Sequence, residues 1–109
     1  MEHGLPKFRR LRKTWEYQRV WQMGCKQHTP HFILLSMVNS AAQPRLGMTV
    51  SRKVGNAVER NRVKRLIREF FRQKYHLFST PVDFSVIAKK GAASLSIKQV
   101  FAELDRAFD

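Results

Sequence analysis

The sequence predicts an α+β domain, with helices packed on a mostly antiparallel sheet. Three observations carry this expectation. Apolar residues recur at helical spacing in stretches opened by capping patterns, short β-rich runs lie between them, and the order is helix, strands, helix, strand, helix. The chain has 109 residues, 43% of them hydrophobic, with eight Phe and two Trp. That suits a single domain (residues 1–109) with a core of its own.

Residues 1–13 read as a basic arm in which Lys7, Arg9, Arg10, Arg12 and Lys13 surround Leu5, Phe8 and Leu11. Such an arm either extends a binding surface or moves freely when unbound. Thr14 is the expected N-cap of a first helix, TWEYQRVWQMG, which sets Tyr17, Val20 and Trp21 on one face and ends at Gly24. FILLSMV, from Phe32 to Val38, is a β-rich run, and NSAAQP after it is turn material. From Arg45 to Ser51 the chain alternates Leu46, Met48 and Val50 with Gly47, Thr49 and Ser51. These two runs are expected to pair as an antiparallel hairpin. Cys25–Thr29 offers a weaker, short strand before them.

Asn56 followed by Glu59 has the form of a capping box opening a long helix, and Gly55 allows a tight turn into it. Thr80 and Pro81 break the chain, and VDFSVIA (Val82 to Ala88) is a further strand. Ser96 with Gln99 forms a second capping box, with Leu95 and Val100 as its hydrophobic staple. Ile97, Val100, Phe101, Leu104 and Phe108 then form the apolar face of a final helix.

The charge narrows the function. Lys and Arg number 21 against eight Asp and Glu, a net +13, and a polyanion is the natural partner for such an excess. On the long helix, Val63, Leu66, Ile67, Phe70 and Phe71 share one arc. Asn61, Lys64, Arg65, Arg68 and Arg72 fall opposite, with Arg60 and Arg62 at the two margins. An ordinary solvated helix face mixes its signs, because i,i+4 pairs of opposite charge stabilise it slightly. Here Arg60–Lys64, Lys64–Arg68 and Arg68–Arg72 repeat like charge at that spacing, a cost that phosphates would offset.

Other chemistries lack their parts. Cys25 is the sole cysteine, and His28 and His31 stand in HTPH without acidic neighbours, so no zinc site is expected. The two histidines are expected to be exposed or stacking. No Gly-rich phosphate loop or G-x-S-x-G is present. No apolar stretch is long enough to span a bilayer, and MEHGLPKFRR has no signal-peptide core, so a soluble, intracellular protein is expected. No pattern gathers the carboxylates for metal-dependent hydrolysis, which argues against a self-sufficient nuclease.

SRKVGNAVERNRVKRLIREFFR, from Ser51 to Arg72, closely resembles the signature of the bacterial ribonuclease P protein family. The Arg60-Asn61-Arg62 triplet, preceded by Lys53, Gly55 and Asn56, is its most specific part. The resemblance runs upstream through RLRKTWEYQRVWQMG, FILLSMV and RLGMTVS, and downstream through DFSVIAKKGAASLS and the final helix. It implies a two-layer α/β sandwich like that of certain ribosomal protein domains. About four strands in a mixed sheet, three helices and a left-handed strand–helix–strand crossover belong to it. It also implies a role in the bacterial cytoplasm: assisting a catalytic RNA that removes the 5′ leader of precursor tRNA by Mg²⁺-dependent hydrolysis. The partners are that RNA and the precursor, with no membrane, small-molecule substrate or obligate protein partner.

By the same resemblance, Arg52, Lys53, Asn56, Arg60, Asn61, Arg62, Lys64, Arg65, Arg68 and Arg72 would dock the catalytic RNA. Phe8, Arg12, Tyr17, Trp21, Leu35, Ser51, Lys89 and Lys90 would meet the leader. The family usually has Phe where Tyr17 and Trp21 stand, and some members have an aromatic where this chain has Leu35. Lys89 replaces a common Arg, keeping the charge without the planar fork. On spacing alone, Tyr17 and Trp21 would be core residues; with the resemblance, they are expected to be half-buried, faces open to a cleft. The catalytic residues would lie in the RNA. The alternative reading is a general RNA-binding or ribosomal protein of the same fold.

Overall fold

The computed structural model describes residues 10–109. The elements are helix α1 (Thr14–Met23), strands β1 (Cys25–His28), β2 (Phe32–Val38) and β3 (Arg45–Thr49), helix α2 (Ala57–Lys74), strand β4 (Val82–Ala88) and helix α3 (Ile97–Leu104). Single 3₁₀ turns follow α2, β4 and α3, the last at Asp105–Phe108. No described helix is long and apolar enough to cross a membrane.

The four strands form one mixed sheet in the order β1-β2-β4-β3. β1 is antiparallel to β2, β2 to β4, and β3 runs parallel to β4. The architecture is therefore the expected α+β one, but the expected hairpin is not. β2 and β3 do not pair, because β4 inserts between them. The physical reason lies in β4 itself: six of its seven residues are buried, so it needs cover on both faces and a neighbour on each side. The hairpin belongs instead to β1 and β2, with Cys25 opposite Ser36 and His28 opposite Ile33.

Strand alternation divides the residues between two faces. Phe32 and Leu34, Leu46, and Phe84 and Val86 join Val63, Ile67, Phe70 and Phe71 of α2 and Val100 and Leu104 of α3 in the main core. α1 crosses the opposite face, where Val20, Leu35 and Leu11 form a smaller cluster bordered by Tyr17, Ile33, Met37 and Ile87. Leu11 belongs to the basic arm. It is only 4% exposed, and its N–H donates to the carbonyl of Leu46, so the arm is docked on the β3 edge from Arg10 onward.

The caps show which local signals prevailed. Ser96 Oγ accepts from Gln99 N and Gln99 Oε1 from Ser96 N, as the motif requires. Thr14, by contrast, is the first helical residue and not the cap. Glu16 takes the capping role by reaching back to the N–H groups of Arg12 and Lys13 at 2.8 and 2.9 Å. On α3, Ile97 is 51% exposed and stands outside the apolar face on which it was expected.

Candidate nucleic-acid interface

The entry into α2 is fixed by reciprocal bonds. Asn56 Oδ1 accepts from Glu59 N at 2.9 Å, and Glu59 Oε1 accepts from Asn56 N at 2.8 Å. A Cβ on Gly55 would fall 2.5 Å from Glu59 Oε1, so the box closes only over a bare backbone. Once inside, α2 buries Val63, Leu66, Ile67, Phe70 and Phe71. Asn61, Arg65 and Arg72 are thereby exposed, and Arg60, Arg62, Lys64 and Arg68 are half-buried. Arg52, Lys53 and Asn56 are exposed on the approach to the helix.

These cations are not equivalent. Arg60 donates to the carbonyl of Gly55 at 2.9 Å and Arg62 to that of Ala93 at 3.3 Å, so both margin arginines also brace the backbone. Arg72 is paired with Glu69, which also accepts from Gln73. Arg65, exposed at the middle of the face, presents its charge most directly.

On the other face of the sheet, α1 leaves a cleft of about 460 Å³. Tyr17, Gln18, Trp21 and Gln22 form its helical wall, and Leu35, Thr49, Ser85 and Ile87 its floor. Tyr17 is half-buried, with its hydroxyl donating to the Leu11 carbonyl at 3.2 Å. Trp21 is 45% exposed, and the Lys26 ammonium sits 4.0 Å from its ring centroid. Leu35 lies in the floor but is only 2% exposed, so it supplies a surface and no projecting side chain. The structure thus brings Tyr17, Trp21 and Leu35 together. Arg12, Ser51, Lys89 and Lys90 do not line this cleft; Arg12, Ser51 and Lys90 are exposed, and Lys89 Nζ donates to the Thr29 carbonyl at 2.7 Å. Phe8 lies outside the described residues.

A smaller groove of about 240 Å³ opens between α1 and α2, lined by Arg10, Leu11, Tyr17, Leu46, Met48, Lys64 and Arg68. Tyr17 lines this groove and the cleft alike. The aromatic surface and the basic helix therefore meet at one side chain.

Beneath α1 is a charged hub that sequence reasoning missed. Arg45 donates through Nε and Nη2 to both oxygens of Asp83, at 2.9 and 3.0 Å, and through Nη1 to Glu16 at 3.0 Å. Asp83 is fully buried, accepts also from Asn39 at 2.8 Å, and has Arg19 3.7 Å away. Burial alone would raise the Glu16 pKa, but the Lys13 and Arg12 N–H groups and the Arg45 charge outweigh it, leaving the pKa lowered. The only signal in the sequence was a charged residue, Asp83, inside the largely apolar VDFSVIA, which demands a buried cation. Two carboxylates do converge here, but on an arginine. Among the described residues, no three His, Cys, Asp or Glu side chains are grouped to hold a metal ion.

Of the two histidines, His28 is exposed as expected and His31 is not. His31 is half-buried, and its Nδ1 meets Glu103 Oε2 at 2.6 Å, while Glu103 Oε1 accepts from the Thr29 hydroxyl and the His31 N–H. This ties the β1–β2 turn to α3.

Comparison with known proteins adds an independent line. The family model described as ribonuclease P matches residues 5–109. The ribonuclease P protein component of Syntrophus aciditrophicus (strain SB) is 45% identical over 100 residues, covering 92% of this chain and 84% of the relative. That of Geobacter sp. (strain M21) is 44% identical over 105 residues, covering 96% and 90%. The solved RNase P protein of Staphylococcus aureus superposes with a TM-score of 0.80 at 34% identity, covering 90% of each chain.

Proposed function

This chain belongs to the ribonuclease P protein family and is a subunit of that holoenzyme, and from this premise we propose that its two surfaces divide the work. The α2 face and the loop before it dock the catalytic RNA; the cleft beside α1 receives the 5′ leader of precursor tRNA. The observation that carries the proposal is the shared position of Tyr17, a wall of the cleft and of the groove reaching Lys64 and Arg68. A leader held on the aromatic side would thereby lie beside a backbone held on the basic side.

Each part has a physical task. Arg52, Lys53, Asn56, Asn61, Lys64, Arg65 and Arg68 offer charge and hydrogen bonds to phosphates and release counterions on binding. Arg60 and Arg62 contribute their remaining N–H groups while holding the loop and the α2–Ala93 contact in shape. Trp21 and Tyr17 offer ring faces to unstacked leader bases. Fixing leader and RNA in one geometry lowers the entropic cost of bringing the scissile phosphate to the RNA. Mg²⁺, in this reading, is held by RNA and substrate. The protein's convergent carboxylates do not suit it, because Glu16 and Asp83 are both committed to Arg45.

The test is cleavage of a precursor tRNA at low Mg²⁺ by the protein alone, by a bacterial ribonuclease P RNA alone, and by both. Cleavage at the mature 5′ end only in the mixture is the expected result. No enhancement by folded protein would sink the proposal, and cleavage by protein alone would refute the assignment of catalysis to RNA.

A further inference from the structure

Trp21 offers its ring to the cleft, yet one face is already taken by the ammonium of Lys26 at 4.0 Å. The two residues come from different elements. Trp21 is in the last turn of α1, and Lys26 is on β1, the edge strand of the sheet. Lys26 pairs with Leu35 across β1 and β2, so its side chain rises from the face of the sheet whose floor Leu35 forms. Lys26 is exposed, and among the described residues its ammonium rests on the ring alone. A cation over an aromatic face at an exposed site is weakly held, and a bare phosphate competes well for it.

We infer that Lys26 is a movable cap on Trp21 and a phosphate contact for single-stranded RNA. In the free protein its ammonium covers the indole. When a strand enters the cleft, a base takes the ring face and Lys26 swings from the indole to the phosphate beside that base. One residue thus shields the stacking platform when it is empty and neutralises the backbone when it is filled. The inference rests on the reading of the cleft as a single-strand site, and β1 becomes its outer bank. His28 stands two residues further along the same strand and, by register with Ile33, on the same face.

The experiment uses the full chain carrying Trp15→Phe, with tryptophan excited selectively so that the signal is that of Trp21; Trp15 is the only other Trp and lies against Arg19. A short, unstructured RNA is titrated at several salt concentrations, with and without Lys26→Thr, which keeps a strand-favouring residue at that position. Neutral acrylamide then reports how open the ring is. The expected result is that Lys26→Thr raises acrylamide quenching of the free protein but not of the complex. The same change should reduce the slope of log affinity against log salt by about 0.7, one single-strand phosphate contact. Lys26→Arg should retain the slope. If RNA still perturbs Trp21 but Lys26→Thr leaves slope and quenching unchanged, the inference fails while the cleft reading stands. If RNA leaves Trp21 unperturbed in the parent, the cleft reading fails and takes the inference with it.

Discussion

The ring of Tyr17 stands directly on Gly47: a Cβ built on that glycine would lie 2.7 Å from Tyr17 Cε1 and 2.8 Å from Leu11 Cδ1. α1 and the docked arm approach β3 this closely only because no side chain intervenes. Gly47→Ala is therefore expected to force both apart, a case of overpacking worth about 1–3 kcal/mol. Tyr17 is also the wall common to cleft and groove, so preference for precursor over mature tRNA should fall with stability. Denaturant midpoints and paired binding assays check this; an unchanged midpoint would mean that α1 shifts without strain.

Arg45 links α1 to the sheet by holding Glu16 and Asp83 at once. Arg45→Ala would leave Asp83, fully buried, with Asn39 as its remaining close partner and Arg19 further off. Removing one member of a buried pair costs about 3–5 kcal/mol, and most of that loss is expected here. The double change Arg45→Met with Asp83→Leu should recover part of it, because the fully buried charge of Asp83 no longer needs a partner, while Glu16 keeps its bonds to the Arg12 and Lys13 N–H groups. Recovery absent from equilibrium unfolding would show that the network, and not the lone charge, sets the stability.

The ease of reading each feature follows from the range of the interactions behind it. The caps at Asn56–Glu59 and Ser96–Gln99 were legible because each is complete within four residues. The basic face of α2 was legible because helical periodicity alone orders Lys64, Arg65 and Arg68 against Val63 and Ile67. Strand pairing was not, since nothing local states that β4 enters between β2 and β3. Glu16, Arg45 and Asp83 come together only after the sheet has formed, and no spacing announces them. Thr14 misled for a related reason: a hydroxyl at a helix start competes with any nearby carboxylate, and Glu16 has the better reach. The division of Tyr17 and Trp21 between wall and open face needed both the family resemblance and the packing of Gly47.

Arg65 and Arg62 should separate binding from stability. Arg65 is exposed at the centre of the basic face. Arg65→Ala is expected to weaken affinity for the catalytic RNA and lower the salt slope by about 0.7–0.9, with stability changed by less than about 0.5 kcal/mol. Arg62→Ala should affect binding too, but its bond to the Ala93 carbonyl predicts an added loss of about 1 kcal/mol in folding. An Arg65 variant with the parental slope would place that residue off the RNA.

Acid should loosen the β1–β2 turn from α3. Burial pushes the Glu103 carboxyl upward, but the Thr29 hydroxyl and the His31 contacts outweigh this and hold its pKa below the ordinary value. Glu16 is lowered likewise. A carboxylate with a lowered folded pKa contributes stability that is present in full above its unfolded pKa. The contribution is lost as pH falls through the folded value. Unfolding free energy should therefore decline below the ordinary carboxylate range, and Glu103→Gln should both lower the neutral plateau and flatten that acid limb. A Glu103→Gln profile parallel to the parent at all pH values would remove Glu103 from the linkage.

Trp21 provides the sharpest separation of site from scaffold. A buried core tryptophan replaced by alanine costs about 3–5 kcal/mol of stability, whereas this one is 45% exposed, with Lys26 over its ring. Trp21→Ala is therefore expected to spare most of the stability and to cost recognition instead. One lost base stack is worth about 1–3 kcal/mol, so the affinity ratio of precursor to mature tRNA, with the catalytic RNA present, should drop by roughly fivefold to more than a hundredfold. Mature tRNA has no leader to stack, so its own affinity should hardly move. Trp21→Phe should keep most of the ratio, because the smaller ring still offers a face at that position. A variant that melts early yet still prefers precursor would show that Trp21 serves the fold, and the leader would have to be sought elsewhere on the sheet.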